Sequence, residues 1–304
     1  MSAAKSLRGS DSSAPPKLVR HLNLGTFWNL PDWSLAGGKT HDERIEIARA
    51  AGVIGVQDAF AEQLPRTDLT IIGMGRVDKA GDAEALALRH RDKGFHATTL
   101  HVGTGLETDR EIDVLIASIL EASAHHDYPL YVETHRATVT QDLRRTVDLV
   151  ERFPDVRFNA DLSHWYTGSE MTYGDINRRF DFLQPVFERV RYIHGRIGNS
   201  CCAQIGVTAN EDSPHVAHFR EMWTRCFVGF LRSASAGDVV AFAPELLPMS
   251  VTVGSRTHWL NYARQIVVDK GVSKEETDRW QQALILYEIA DQCFSNAQRH
   301  VNAV

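Results

Sequence analysis

Residues 131–136 read Tyr-Val-Glu-Thr-His-Arg and follow a short apolar run that begins at Tyr128. An apolar run of this length is typical of a buried strand, and we predict one that ends at Glu133. Residues two apart on a strand face the same side, which places the side chains of Glu133 and His135 together. A buried carboxylate and imidazole need partners. The stretch therefore predicts either a ligand-binding strand end or a buried salt-bridge network.

Seven further short stretches are also predicted as buried strands, and a predicted helix separates most of them from the next strand. These strands are expected at residues 19–27, 53–58, 69–74, 95–102, 156–161, 192–196 and 239–245. Repeated alternation of strand and helix is typical of a parallel sheet with crossover helices. Eight such units in about 250 residues fit a closed barrel better than two open sheets. We therefore predict an α/β chain with a (β/α)8 TIM-barrel fold.

Apolar stripes and capping residues predict the helices. They are expected at residues 40–51, 83–93, 109–125, 138–153, 176–190, 215–234, 258–268 and 273–301. Thr138 or Thr140 is the expected cap of the fourth helix, and Ser-Lys-Glu-Glu from Ser273 matches a capping box at the start of the last. The apolar stripe of this extra C-terminal helix would either cover the barrel or pack on a second copy in a homo-oligomer.

Composition divides the chain into a short tail and one domain. Residues 1–17 are rich in Ser, Ala and Pro, which predicts a flexible N-terminal tail. No linker-like change in composition interrupts the rest, so residues 18–304 are expected to form a single TIM-barrel domain.

Charge and cysteine content limit the classes of partner. The chain has 304 residues and a net charge of -6, which argues against nucleic acid as a partner. No apolar run approaches the roughly 20 residues needed to span a bilayer, and no apolar signal core follows Lys5 and Arg8, so no membrane association is expected. Four cysteines do not make a disulfide framework. A cytoplasmic location with reduced thiols is the expectation.

A barrel places its functional site where the strands end. Four consecutive predicted strands end in residues that bind metals, and these residues are Glu133, Asp161, His194 and Glu245. Three gathered carboxylates would repel one another without a cation. Together with one imidazole they suit a single hard or borderline divalent ion such as Mn²⁺, Mg²⁺, Co²⁺ or Zn²⁺.

Further polar residues surround these four. His135 and Arg196 lie two residues beyond predicted ligands, His164 lies three residues after Asp161, and His101 ends the fourth strand. Such groups bind hydroxyls, neutralise an oxyanion or transfer protons. For His101 and His135, filling a polar layer of the barrel is the alternative.

Tryptophans in the loops at strand ends are candidates for an apolar wall against a sugar ring. They are Trp28, Trp33 and Trp165, and we predict that Trp165 binds substrate. Anchoring of the loops is the alternative for all three. Cys201 and Cys202 lie in the loop after the seventh strand, where two ordinary thiols are favoured over a vicinal disulfide or a soft-metal ligand.

The ordered set Glu133, Asp161-x-x-His164, His194-x-Arg196 and Glu245 resembles the xylose isomerase-like TIM-barrel superfamily. Its sugar isomerase/epimerase branch is the most similar, over roughly residues 19–270. The resemblance implies that the Glu, Asp, His, Glu set binds one divalent ion, with Mn²⁺ favoured. It also implies that Glu133 and Glu245 exchange a proton with the substrate, and that His164 and Arg196 contact it.

These residues lead to an expected reaction on a small sugar or polyol-like substrate. A metal ion on a carbonyl and an adjacent hydroxyl oxygen stabilises an enediolate, which makes the neighbouring proton easier to remove. Two carboxylates on opposite faces of that carbon could then remove and return the proton. We therefore expect a metal-dependent sugar isomerase or epimerase that acts through a metal-bound enediolate.

Three other readings stay open. His135 and Arg136 add positive charge beside Glu133, which suits an acidic substrate and a lyase or dehydratase of the same superfamily. An AP endonuclease-like phosphodiesterase, which uses three zinc ions, would need an Asp-x-His pair soon after the seventh strand. The loop there offers Asp212 and His215 at a different spacing. A non-catalytic metal-binding barrel is the third.

Overall fold

The computed structural model describes residues 6–64, 68–208, 210–269 and 271–303. Its main sheet contains a short strand, β1 (Leu7–Arg8), and eight longer strands. These are β2 (Lys17–Asn23), β3 (Val53–Asp58), β4 (Thr70–Val77), β5 (Ala97–Val102), β6 (Leu130–Glu133), β7 (Phe158–Ala160), β8 (Val190–Gly195) and β9 (Asp238–Pro244). The eight pair in parallel in chain order, and β9 also pairs with β2. The sheet is therefore a closed barrel, and the predicted TIM-barrel fold is confirmed.

Helices surround this barrel. In the described residues they are α1 (His41–Ala50), α2 (Ala80–Asp92), α3 (Asp109–His126), α4 (Leu143–Arg152), α5 (Leu162–Gly168), α6 (Ile176–Phe187), α7 (Pro214–Ser233) and α8 (Arg279–Asn302). α3 shows how the sequence specifies them, because Thr108 and Glu111 form a capping box and an apolar stripe faces the sheet. Among the described helices, none has both the length and the apolar character that crossing a membrane requires.

The C-terminal helix α8 packs on the barrel of its own chain. Its apolar stripe is buried there, with Trp280, Ala283, Tyr287, Ala290 and Phe294 among its members. The Tyr287 hydroxyl donates a hydrogen bond of 2.6 Å to the backbone carbonyl of His21 on β2. Of the two roles considered for this stripe, covering the barrel is therefore the one observed.

The first residue of α8, Arg279, joins the helix to the carboxyl-terminal end of the barrel. Its guanidinium is 1% exposed and donates to the carbonyls of Thr26 at 2.7 Å and Trp28 at 2.6 Å. It also lies 2.9 Å from the Glu275 carboxylate. One cation therefore satisfies several buried acceptors in the loop after β2, which helps to shape the mouth of the barrel.

The segment between β9 and α8 differs from the prediction. A helix was expected at residues 258–268, but the chain forms two hairpins. They consist of β10 (Ser250–Val253) with β11 (Arg256–Trp259) and β12 (Gln265–Asp269) with β13 (Val272–Glu275). β-Branched residues favour strands here, and Gly254 at φ +60° and Gly271 at φ +82° permit the tight turns. The helix prediction is therefore wrong.

Two predicted helix starts are also wrong. Ser273 lies in β13, and α8 begins later, with Asp278 as its cap accepting a hydrogen bond from the amide of Trp280. α4 is capped by Asp142 rather than by Thr138 or Thr140. Those two threonines are buried, and Thr140 Oγ1 donates to the carbonyl of Glu133 at 2.7 Å. They therefore stabilise the loop behind a predicted metal ligand.

Part of the predicted N-terminal tail is packed on the barrel. β1 pairs antiparallel with the start of β9, Leu7 is buried, and its amide donates to the Tyr131 hydroxyl at 2.9 Å. The prediction that residues 1–17 form a flexible tail is therefore wrong for β1 and for Lys17, where β2 begins. Residues 1–5 lie outside the described residues.

We predict that Arg279→Met lowers the free energy of unfolding by about 3 kcal/mol or more, because buried carbonyls and the Glu275 carboxylate lose their donor. Urea unfolding would measure the change. Arg299→Met, at an exposed position of the same helix, is the control and should change stability little. A loss below about 1 kcal/mol for Arg279→Met would show that the mouth does not depend on this cation.

A second prediction concerns His21, which is buried in β2. Burial lowers the pKa of His21 to about 3, so the folded protein holds this ring neutral. The unfolded chain binds a proton near pH 6.5, and the stabilisation is therefore present above that pH and lost as the pH falls toward 3. His21→Phe should flatten the rise of unfolding free energy between these pH values. A variant at the exposed His258 is the control. If the unfolding free energy of His21→Phe rose with pH as steeply as that of the control, the burial of His21 would not be the cause of the rise.

Candidate metal centre and active site

Four side chains from consecutive strand ends meet at the carboxyl-terminal end of the barrel. Glu133 ends β6, Asp161 follows β7, His194 lies in β8 and Glu245 follows β9. All four are buried, and one ligand atom from each lies within 4.8 Å of the others. The structure therefore brings together all four residues that the sequence predicts as metal ligands.

The imidazole of His194 stands at the centre of this group. Its Nδ1 lies 3.7 Å from Glu133 Oε1, 3.7 Å from Asp161 Oδ2 and 3.3 Å from Glu245 Oε2. Its other nitrogen, Nε2, lies 2.7 Å from Gln57 Oε1, which can only accept a hydrogen bond. A proton on Nε2 leaves Nδ1 of the neutral ring free to bind a metal. Gln57 therefore orients this ligand from outside the cluster.

Two buried asparagines orient the glutamates in a similar way. Asn159 Nδ2 donates to Glu133 Oε2 at 3.0 Å, and Asn23 Nδ2 donates to Glu245 Oε1 at 3.0 Å. Asn23 also donates to Gln57 Oε1 at 3.0 Å. Each glutamate thus has one oxygen held by an amide, while its other oxygen faces His194.

The cluster carries more negative than positive formal charge. It holds three carboxylates, and Arg196 is the cation that contacts them, through an ion pair with Asp161 and a distance of 3.3 Å to Glu245 Oε2. Three negative charges and one positive charge leave a balance of two negative charges when the histidines are neutral. A divalent cation would balance this charge, and its preferred ligands are those present.

The pKa shifts of His194 and Asp161 also indicate that positive charge is favoured in the cluster. Burial lowers the pKa of His194, but Glu245 and Glu133 outweigh burial and raise this pKa well above its ordinary value. Burial raises the pKa of Asp161, but Arg196 and His164 shift it well below its ordinary value. Asp161 is therefore held ionised, which is the form that binds a metal.

A cavity of about 220 Å³ opens beside the cluster. Its walls include both glutamates, three histidines, Trp28 and Tyr262, and the histidines are His101, His135 and His164. Glu133 and Glu245 therefore face a small cavity beside the cluster, whereas Asp161 and His194 lie behind its wall.

The three histidines form a continuous row along the cavity. The His135 ring centroid lies 4.4 Å from that of His101 and 4.0 Å from that of His164. His101 Nε2 contacts Glu133 Oε1 at 3.2 Å. Burial lowers the pKa of His101, but Glu133 reverses the shift and raises it, whereas burial lowers the pKa of His164 to about 3. His101 therefore holds a proton more strongly than an ordinary imidazole does, whereas the ring of His164 is neutral at neutral pH.

Trp165 is not part of the cavity wall. Its side chain is 1% exposed and lies in the hydrophobic core, and its indole nitrogen donates to the carbonyl of Thr140 at 2.7 Å. The prediction that it binds substrate is wrong, because α5 turns it inward. Trp28 lines the cavity instead, and Trp33 lies outside that lining with its ring beside Lys274.

Sequence reasoning missed several groups at the site. The orienting amides of Asn23, Gln57 and Asn159 were detectable, since each is an amide side chain at or near the carboxyl-terminal end of its strand. Asn159 stands two residues before Asp161, which places both on one face. Tyr262 gave no such signal, because its segment was predicted as a helix.

Two other groups of metal-binding residue types occur in the described structure, and one of them, His101, Glu133 and His135, shares Glu133 with the cluster. Glu84, His125 and His126 lie together on the outside of the barrel. There Arg91 Nη1 lies 3.2 Å from His126 Nδ1, which favours a proton on the nitrogen facing Glu84 and disfavours metal binding. Cys201 and Cys202 are both free thiols, as predicted.

Comparisons with known proteins establish the fold and go no further. No family model and no curated protein matches this chain. Among solved structures, the probable 3-DHS dehydratase AsbF from Bacillus anthracis matches with a TM-score of 0.50 and 15% identity, covering 75% of this chain and 92% of that one.

Two proteins named for xylose isomerase also match. A xylose isomerase domain protein from Planctomyces limnophilus has a TM-score of 0.48 and 14% identity, covering 96% of this chain and 100% of that one. A xylose isomerase-like TIM-barrel protein from Mycobacterium smegmatis, solved with magnesium, has a TM-score of 0.48 and 11% identity, covering 94% of this chain and 100% of that one. The fold itself is a (β/α)8 TIM barrel. At such identities the likeness concerns the fold alone.

We predict that protein loaded with Mn²⁺ and then dialysed retains about one ion per chain, as expected for a single buried ligand set. His194→Ala and Asp161→Asn should lose most of it, measured by elemental analysis. Glu84→Gln is the matched control, because it changes the outer group of metal-binding residue types. Loss of the ion in Glu84→Gln, with full retention in His194→Ala, would place the metal elsewhere.

Proposed function

We propose that this protein is a divalent-metal-dependent enzyme that moves a proton beside a carbonyl group of a small polyhydroxylated substrate, as an isomerase or epimerase does. One observation carries this proposal. Glu133 and Glu245 come from different strands, and each has one oxygen fixed by an asparagine and the other directed at the cluster. Both line the same cavity. Two oriented carboxylates facing one space are what removal and return of a proton require.

The metal and the side chains would have separate tasks. An ion held by Glu133, Asp161, His194 and Glu245 would act as a Lewis acid toward a carbonyl oxygen, which makes the adjacent carbon more acidic. One glutamate, in its ionised form, would take the proton from that carbon, and the other, in its protonated form, would return a proton to the second face of that carbon or to the neighbouring carbon. His101, 3.2 Å from Glu133 Oε1, can exchange a proton with that glutamate.

Arg196 is 1% exposed and lies behind the cavity lining, where its neighbours suit it for an electrostatic role rather than for proton transfer. Its guanidinium is held by Asp161 and by the Ser163 hydroxyl at 3.0 Å, and its cation lies 4.7 Å from the centre of the Tyr262 ring. A fixed cation beside the cavity stabilises oxygen atoms that gain negative charge during the reaction. The position of Tyr262 over this cation makes the tyrosine a further substrate contact.

Loss of water is the second candidate, and His135 favours it. Elimination needs a base for the proton beside the carbonyl and an acid for the departing hydroxyl. His135 is half-buried in the cavity wall beside His101, whose pKa Glu133 raises, so the two rings together can hold and deliver that proton. The similarity to AsbF, a probable 3-DHS dehydratase by name, accords with this candidate without deciding it.

The test is solvent exchange. Mn²⁺-loaded protein is incubated in D2O with ketoses, aldoses and keto acids, and NMR follows deuterium at the carbon beside each carbonyl. We expect exchange with at least one compound, and a loss of about 100-fold or more in Glu133→Gln and in Glu245→Gln. Glu121→Gln, on the exposed face of α3, is the control and should keep the wild-type rate.

The products separate the two candidates. An epimer or isomer that carries deuterium supports the first, and an unsaturated product that has lost water supports the second. Absence of exchange across the panel in metal-loaded protein, or full activity in both glutamine variants, would contradict proton transfer by this pair.

A further inference from the structure

A second recess adjoins the cavity at the mouth of the barrel. This groove has a volume of about 610 Å³, and its lining includes Arg136, Gln141, Arg144, Ser169 and Phe182. His164 lines both the groove and the cavity that contains the glutamates. The groove and the cavity are therefore neighbours that share this buried side chain.

Arg136 is the first of two cations in this groove. It is exposed, and within the described residues no carboxylate lies at ion-pair distance from it. Its guanidinium carbon lies 5.7 Å from the centre of the Tyr262 ring, and that ring also contacts Arg196. Tyr262 thus stands between the cation of the catalytic cavity and the cation of the groove.

Arg144 is the second cation. It stacks on Phe182 at 4.2 Å, and the Asp148 carboxylate is 3.9 Å away in an exposed pair. Such a pair neutralises little charge in water. The carboxylate of Asp142 also borders the groove, but its Oδ1 accepts the amide of Arg145 at 2.7 Å as the cap of α4.

The groove is therefore positively charged in a protein whose net charge is -6. Two arginines at the mouth, neither in a buried ion pair, attract an anion that enters the cavity. We propose that this groove binds a carboxylate carried by the substrate, at the end remote from the reacting carbon. This assignment rests on the proposed function and narrows its substrate to a hydroxylated keto acid or a related acid.

The groove favours a carboxylate over a phosphate group. A guanidinium binds the two oxygens of a carboxylate with parallel hydrogen bonds. A phosphate monoester carries nearly two negative charges and gains most from free helix amides. Here Asp142 already accepts from the amide of Arg145 at the start of α4 and places its own negative charge beside the groove.

The test compares two compounds that differ in one group. L-Sorbose and 5-keto-D-gluconate share a carbon skeleton, and the second has a carboxylate in place of a terminal hydroxymethyl. We expect Mn²⁺-loaded protein to bind the acid about tenfold or more tightly by calorimetry. This preference should disappear in the double variant Arg136→Gln, Arg144→Gln, while binding of L-sorbose stays as it was.

The control variant is Arg110→Gln, which removes an exposed arginine from α3, outside the groove lining, and should keep the preference. D-Fructose and D-fructose 6-phosphate form a second pair, for which a smaller gain is expected. Equal binding of sorbose and the acid, no binding of the acid, or a preference that survives the double variant would overturn the proposal. A larger gain for the phosphate would reassign the groove to phosphate esters.

The same samples keep this proposal apart from the proposed function. Deuterium exchange reports on Glu133 and Glu245, whereas the binding difference reports on Arg136 and Arg144. If deuterium exchange occurs but the acid binds no more tightly than L-sorbose, only the assignment of the groove is contradicted. A carboxylate preference without exchange in any tested compound supports the groove and counts against the reaction.

Discussion

Three carboxylates share one buried space with a single arginine, and this charge imbalance governs the site. Like charges at such distances repel strongly where water is excluded, so the cluster is stable only with added positive charge. Without a metal, a proton on His194 supplies part of it, as the raised pKa of that ring indicates. A divalent ion supplies it fully and leaves the carboxylates ionised. The arrangement therefore favours metal binding over a structural salt-bridge network.

The barrel makes this electrostatically unfavourable cluster possible because its four side chains come from four different strands. Each strand contributes one ligand from its carboxyl-terminal end, and amides of the neighbouring strands hold those ligands in position. Gln57 and Asn23 act from β3 and β2, and Asn159 acts from β7. At the same end of the barrel, Arg279 fixes the loop after β2 to the last helix. The energy that positions the cluster thus comes largely from the packed scaffold.

The sequence predicts the barrel and the grouping of the four candidate ligands well because both depend on local patterns. Short apolar runs mark strands, and a charged residue where such a run ends marks a ligand. It predicts the region after β9 poorly, because an apolar pattern there suits a helix until Gly254 and Gly271 are recognised as hairpin turns. Because residues 258–268 were predicted as a helix, Tyr262 was not predicted as a residue of the site. Trp165 was misplaced for another reason, since sequence spacing does not tell which way a side chain turns in the short helix after Asp161.

Anomalous diffraction from crystals grown with Mn²⁺ tests the central claim most directly. The account predicts one strong manganese peak between Glu133, Asp161, His194 and Glu245, with Nδ1 of His194 as the nitrogen ligand. A peak at Glu84 and His126 alone, several ions in the cavity, or no peak at full Mn²⁺ loading would contradict it. The last result would mean that Arg196 and protonated histidines neutralise the carboxylates by themselves.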